Sequence, residues 1–180
     1  GHKMGGPMGI GALYLSVDLH SALRPRVYGG GQENGLRSGT LPLPLCVGFG
    51  KAAEIVSESS FGNCRDQMRQ CRDVFLQRLF ESNVEFAVNG AEFSSRHPGN
   101  LNIRFPGEDA QDLLLRLQPR IAASTGSACS SGKIGPSHVL TAIGLSEDEA
   151  GASLRISFGP GSSQTDVNLA AKVVVDALLP

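Results

Sequence analysis

The sequence predicts a chain of mixed helix and strand that ends in a self-contained α+β unit of about 100 residues. Three observations predict it. Apolar residues recur every three or four positions at Met68, Cys71, Phe75 and Leu79, the spacing of one helix face. From Val84 onward short apolar runs alternate with helical stretches, and clusters of glycine and proline set both apart from a glycine-rich start.

Residues 10–17 read as a strand, fed by the turn residues of Gly5-Gly6-Pro7. Residues 18–30 read as a loop ending in Gly29-Gly30-Gly31, and residues 32–44 as an irregular stretch punctuated by Gly35, Gly39, Pro42 and Pro44. A helix is expected from Leu45 to about Ser57, and a second from about Asn63, its expected N-cap, to Glu81. The C-terminal unit then reads as strand (84–88), strand (100–105), helix (109–117), strand (121–124), small-residue loop (125–136), short helices (137–150), strand (153–158) and helix (164–178).

Composition narrows the function. Sixteen basic and seventeen acidic residues, spread without long blocks, give no electrostatic footprint for nucleic acid or an anionic membrane. No apolar run approaches the roughly 18 residues that a membrane-spanning helix needs, and the N-terminus lacks the order of a signal peptide. Cys46, Cys64, Cys71 and Cys129 form no CxxC pair, so neither a zinc knuckle nor a disulfide framework is indicated, and a reducing compartment fits.

Four segments carry chemistry. Ser124-Thr125-Gly126-Ser127-Ala128-Cys129-Ser130-Ser131-Gly132 sets one cysteine among small residues and glycines, which suits a thiol that must be reachable and able to move; a small buried packing residue is the alternative. Gly1-His2-Lys3 places an amine that can condense with an aldehyde beside an imidazole, or else is a solvated terminal lysine. The stretch Gly29 to Thr40 combines backbone freedom with Arg37, Ser38 and Thr40, a composition suited to an anion or to a plain surface loop. Arg155 interrupts the apolar alternation Leu154-Arg155-Ile156-Ser157-Phe158, either as a bidentate carboxylate clamp or as an outward strand arginine.

In chain order these segments resemble the NifS/IscS-like cysteine desulfurases, class V members of the fold-type-I pyridoxal-phosphate enzymes. The resemblance rests on Gly1-His2-Lys3 with Gly9-Ile10-Gly11-Ala12-Leu13-Tyr14, on Gly29-Gly30-Gly31-Gln32-Glu33 with Leu36-Arg37-Ser38-Gly39-Thr40, and on Pro98-Gly99-Asn100-Leu101-Asn102. It continues through Gly126-Ser127-Ala128-Cys129, Ser137-His138-Val139-Leu140 and Leu154-Arg155-Ile156-Ser157-Phe158-Gly159. It implies an α/β fold: residues 1–60 as the end of a large pyridoxal-phosphate-binding domain with its bridging helix, and residues 61–180 as a small α+β domain carrying the cysteine loop. It also implies roles. Lys3 holds the pyridoxal 5'-phosphate, His2 contacts its phosphate, and Thr40 reaches the phosphate of the partner subunit in a homodimer. Arg155 clamps the carboxylate of L-cysteine, and Cys129 accepts its sulfur as a persulfide, leaving alanine, for transfer to a sulfur-acceptor or iron–sulfur scaffold protein. No metal is implied.

The same resemblance leaves alternatives. Selenocysteine lyase shares the cofactor logic, and a non-catalytic fragment that docks scaffold or acceptor proteins is a third reading. Family members carry, ahead of the lysine, further cofactor contacts with no counterpart in this sequence, so the chain alone is expected to be inactive and its first part to expose apolar surface. Asn34 stands where the family usually has a basic residue, and Pro160 where it usually has arginine. A cytoplasmic location is expected, with an organelle open because a targeting segment would lie upstream.

Overall fold

The computed structural model describes residues 1–58, 60–125 and 136–179. Their contacts divide into two units, Gly1–Phe61 and Gly62–Pro180.

Among its described residues the first unit holds three 3-10 turns, His2–Met4, Val17–Ala22 and Gln32–Gly35, and one helix, α1 (Leu43–Ser57). Pro44 sits in the first turn of α1, where its missing N–H takes nothing from the helix. Pro7 packs against α1 at Gly48, where a Cβ would stand 2.6 Å from the proline ring, so only glycine allows that approach. The expected strand at 10–17 does not form. An apolar run supplies a strand's propensity but not its partner, and no other strand lies within the described part of this unit to complete a ladder. Leu13, Tyr14, Val17 and Tyr28 are consequently 79–91% exposed.

Among its described residues the second unit forms a three-stranded antiparallel sheet in the order β1 (Ala87–Val88), β2 (Asn100–Arg104), β3 (Ser153–Ser157). α2 (Ser60–Glu81), α3 (Ala110–Leu117) and α6 (Gln164–Leu178) supply the rest of its core; the short α4 (His138–Ala142) and α5 (Glu147–Gly151) precede β3. Side chains alternate along the strands, so Leu101, Ile103, Leu154 and Ile156 enter the core with Cys71, Phe75 and Leu79 of α2, Leu113 and Leu117 of α3, and Val167, Ala171 and Val174 of α6. Each of the large side chains among these stabilises the fold by about 1.5–3 kcal/mol on burial. Phe75 and Phe158 meet with ring centroids 5.9 Å apart and planes tilted by 59°.

Caps fix several boundaries. Asp109 accepts from the N–H groups of Gln111 and Asp112 and opens α3; Ser146 with Glu149 and Ser163 with Asp166 form capping boxes on α5 and α6. Other boundaries differ from the sequence expectation. α2 begins at Ser60 and carries Asn63 inside it, continuing through Gly62. Strand 84–88 shrinks to Ala87–Val88 because Asn83, in the left-handed region at φ 54°, turns the chain so that Val84 N–H closes α2 on the Leu79 carbonyl. Strand 121–124 reduces to a single bridge at Ser124, since the N–H groups of Arg120 and Ile121 return to Leu117 at the end of α3.

Candidate functional site

The face of the sheet turned away from the core is polar. Asn100, Asn102 and Arg104 of β2 stand on it opposite Ser157, Arg155 and Ser153 of β3. Arg155 lies between two neighbours: Asn102 across the β2–β3 ladder, and Ser124 on the other side, with which it exchanges both backbone hydrogen bonds, N–H to Ser124 O at 2.6 Å and O from Ser124 N–H at 3.1 Å. Its side chain is exposed and makes no hydrogen bond or ion pair among the described residues. Arg155, Asn102, Asn100, Arg96, Ser137 and Leu140 line a recess of about 260 Å³ on this face.

A polar layer backs the recess. Asn89, nearly buried, donates to Asn102 Oδ1 at 2.7 Å and to Ser153 Oγ at 2.9 Å, while Arg104 pairs with Glu149. Arg96 donates to the Asn89 carbonyl at 2.9 Å and lies 4.9 Å over the Phe93 ring, with Arg72 4.1 Å from the same ring. Burial, then the positive charge of Arg72, lowers the pKa of the Arg96 guanidinium. Arg72 itself is 3% exposed and holds Asp73 through two nitrogens, at 2.8 and 2.7 Å.

In the first unit Lys3 and His2 occupy a 3-10 turn closed by Met4 N–H on Gly1 O and by Gly5 N–H on His2 O, both 3.1 Å, with Gly5 at φ 83°. Both side chains are exposed and unpartnered among the described residues. The stretch Gly29 to Thr40 is tied to itself: the buried Ser38 hydroxyl donates to Gly30 O at 2.6 Å, and Gly39 N–H donates to Gln32 Oε1 at 3.0 Å. Glu33 and Asn34 hold φ of 51° and 56°, a left-handed pair, and asparagine is among the residues that tolerate this region best. Thr40 is exposed. A recess of about 920 Å³ in this unit, lined in part by Leu13, Tyr14, Arg24 and Arg37, contains none of Lys3, His2 and Thr40. A free amine, an imidazole and a hydroxyl are together the donor set that an aldehyde bearing a phosphate requires, so these three residues fit such a group by chemistry.

Of the residues singled out in the sequence, Arg155 lies in the polar recess of the second unit, and Lys3, His2 and Thr40 are exposed in the first. Cys129 lies outside the described residues, five positions beyond Ser124. The sequence reading passed over Asn89, Arg96, Asn102 and Ser153. For Asn102 a signal existed, because period two along β2 puts it on one face with Asn100; for Asn89 nothing local marked it.

The family model for aminotransferase class-V matches residues 1–169. The chain is 40% identical over 174 residues to a cysteine desulfurase IscS of Rickettsia typhi, with 97% of this chain and 42% of that protein covered. It is 43% identical over 181 residues to a cysteine desulfurase of a Frankia strain, covering 99% and 42%, and 39% identical to a mitosomal cysteine desulfurase of Encephalitozoon cuniculi, covering 98% and 40%. Among solved structures it superposes on a NifS-like protein with a TM-score of 0.77 at 27% identity, covering 97% of this chain and 43% of that one. It also superposes on SspA in complex with cysteine with a TM-score of 0.60 at 38% identity, covering 91% and 43%. The chain thus spans about two fifths of the length of these relatives.

Proposed function

Since this chain belongs to the aminotransferase class-V family, we propose that it serves a cysteine desulfurase, in which L-cysteine gives up its sulfur to Cys129 and leaves as L-alanine. The observation that carries the reading is the Arg155 guanidinium, without a partner among the described residues, on a strand position that exchanges both backbone hydrogen bonds with Ser124 and is joined through it to the segment that leads to Cys129.

Family members use pyridoxal 5'-phosphate in general, and Lys3 would hold it covalently, with His2 on its phosphate and Thr40 on the phosphate of the partner subunit in a homodimer. Once bound, that group supplies an electron sink for the carbon next to the substrate nitrogen. The residues of this chain do the rest. Arg155 binds the substrate carboxylate with two parallel N–H donors and so fixes the direction in which the substrate side chain points. The Cys129 thiolate attacks the substrate sulfur; a sulfur–sulfur bond forms, the carbon–sulfur bond breaks, and its electron pair stays on carbon, which a proton then converts to the methyl group of alanine. Cys129 is left as a persulfide for an acceptor or iron–sulfur scaffold protein.

Among the described residues no helix is long and apolar enough to cross a membrane. A cytoplasmic setting suits a reactive thiolate, and the mitosomal relative extends that to an organelle. The test is transfer of labelled sulfur from L-cysteine in the complete polypeptide. Cys129→Ser abolishes labelling of the protein while leaving the cofactor's absorption spectrum intact; labelling that survives the substitution refutes the role.

A further inference from the structure

A run of hydrogen bonds behind the recess has its direction fixed at one end. Ser153 is fully buried, and its hydroxyl donates to the Glu149 carbonyl at 2.7 Å. A carbonyl only accepts, so that hydrogen is committed and Ser153 Oγ can only accept from Asn89, 2.9 Å away. The Asn89 atom at that position is therefore its NH₂ nitrogen, and the second hydrogen of the group goes to Asn102 at 2.7 Å. Asn102 must present Oδ1 there. Its own NH₂ group consequently faces away from Asn89, and it has no partner among the described residues.

Asn89 is well placed to impose this order. Its N–H donates to the Asn102 carbonyl and its own carbonyl accepts from Arg96, both at 2.9 Å. Asn102 in turn is the direct cross-strand partner of Arg155 on the same face, and both line the recess. The pair thus offers free donors only, two on the amide and five on the guanidinium, and the matching ligand is an anion rich in acceptors and planar in shape.

We infer that Asn102, oriented by Asn89 through Ser153, is a second binding residue for the substrate carboxylate, forming with Arg155 a two-point cradle. The guanidinium meets both carboxylate oxygens and the amide donates to one of them as well, which fixes rotation about the bond between the carboxylate and the α-carbon. The cradle selects amino acids over amines of the same side chain. This inference rests on the reading of Arg155 as the carboxylate clamp.

The test is a titration of the full chain, labelled with nitrogen-15, with L-alanine to saturation, and with ethylamine as the probe that lacks the carboxylate. The Asn102 Nδ2 and Arg155 Nε resonances shift with alanine and stay still with ethylamine, a readout that needs no variant. Asn102→Ala raises the alanine Kd by about tenfold or more, as loss of a hydrogen bond to a charged group does. Ser153→Ala, which frees Asn89 to turn over, raises it by a smaller factor. Loss of alanine binding in Arg155→Met together with an unchanged Kd in Asn102→Ala overturns this inference and leaves the clamp standing. Alanine binding that survives Arg155→Met, or wild-type resonances that do not move, overturns both.

Discussion

Arg155 and Ser124 exchange both of their backbone hydrogen bonds, at 2.6 and 3.1 Å, so the strand position that carries the free guanidinium is tied to the stretch that runs on toward Cys129. The Arg155 backbone is committed to Ser124 on one side and lies in the β2 ladder on the other, while its side chain has no partner among the described residues. With the role proposed for Arg155, fold and ligand recognition are therefore separable at this residue.

Arg155→Met should fold as the wild type does. An exposed side chain without a partner changes stability by no more than about 0.5 kcal/mol, while binding of a small carboxylate is lost. Urea unfolding beside ligand titration checks both halves; a large drop in stability would mean that the guanidinium holds the fold together.

The core is less forgiving. Leu154 is fully buried between the sheet and its helices, and Leu154→Ala should cost about 2–5 kcal/mol in urea unfolding. Gly99→Ala should be as damaging for a different reason: a Cβ there would stand 2.1 Å from the Phe158 carbonyl oxygen, and Phe158 N–H already donates to Gly99 O at 2.8 Å, so β3 cannot move aside without breaking that bond.

Much of this was legible in the sequence. The last helix has the expected bounds because Ser163 and Asp166 mark its start and a clean 3.6-residue period carries it to Leu178. The lone charge in Leu154-Arg155-Ile156 marked the open face of β3 for the same kind of reason: a period of two leaves position 155 no place in the core. What failed were features decided by distant partners. The stretch 10–17 has the apolar run of a strand and no ladder to join, and Ile121 gives its N–H to α3 instead of a neighbouring strand. Asn89 was invisible because its contacts, Asn102 and Ser153, lie 13 and 64 residues away.

Cys71 should be the slow thiol of the second unit. Burial, with the negative charge of Asp166 adding to it, raises the pKa of the Cys71 thiol, and its sulfur donates to the Ser162 carbonyl at 3.5 Å. A raised folded pKa favours the fold below the ordinary thiol range, and that advantage is lost as pH rises through the raised value. Timed alkylation at neutral pH, read by peptide mass, should modify Cys64 well before Cys71; equal rates would show that the α2 core face opens freely.

Asp166 runs the other way. The Ser163 hydroxyl at 2.6 Å, then the Ser163 backbone N–H at 3.2 Å, hold its carboxyl below the usual carboxylate range. The stability it contributes is present above the ordinary carboxylate pKa and is lost as pH falls through the depressed one. Thermal unfolding of wild type and Asp166→Asn across acid pH should show a gap that is widest near neutrality and closes as pH falls; a gap that persists in acid would contradict the capping role.

The central claim is that sulfur from L-cysteine arrives on one thiol of this chain. Peptide mass mapping after reaction of the complete polypeptide with L-cysteine, under conditions that preserve persulfides, should find one added sulfur on the peptide containing Cys129 and none on those containing Cys46, Cys64 or Cys71. Added sulfur on any of those three with Cys129 unmodified would contradict the account.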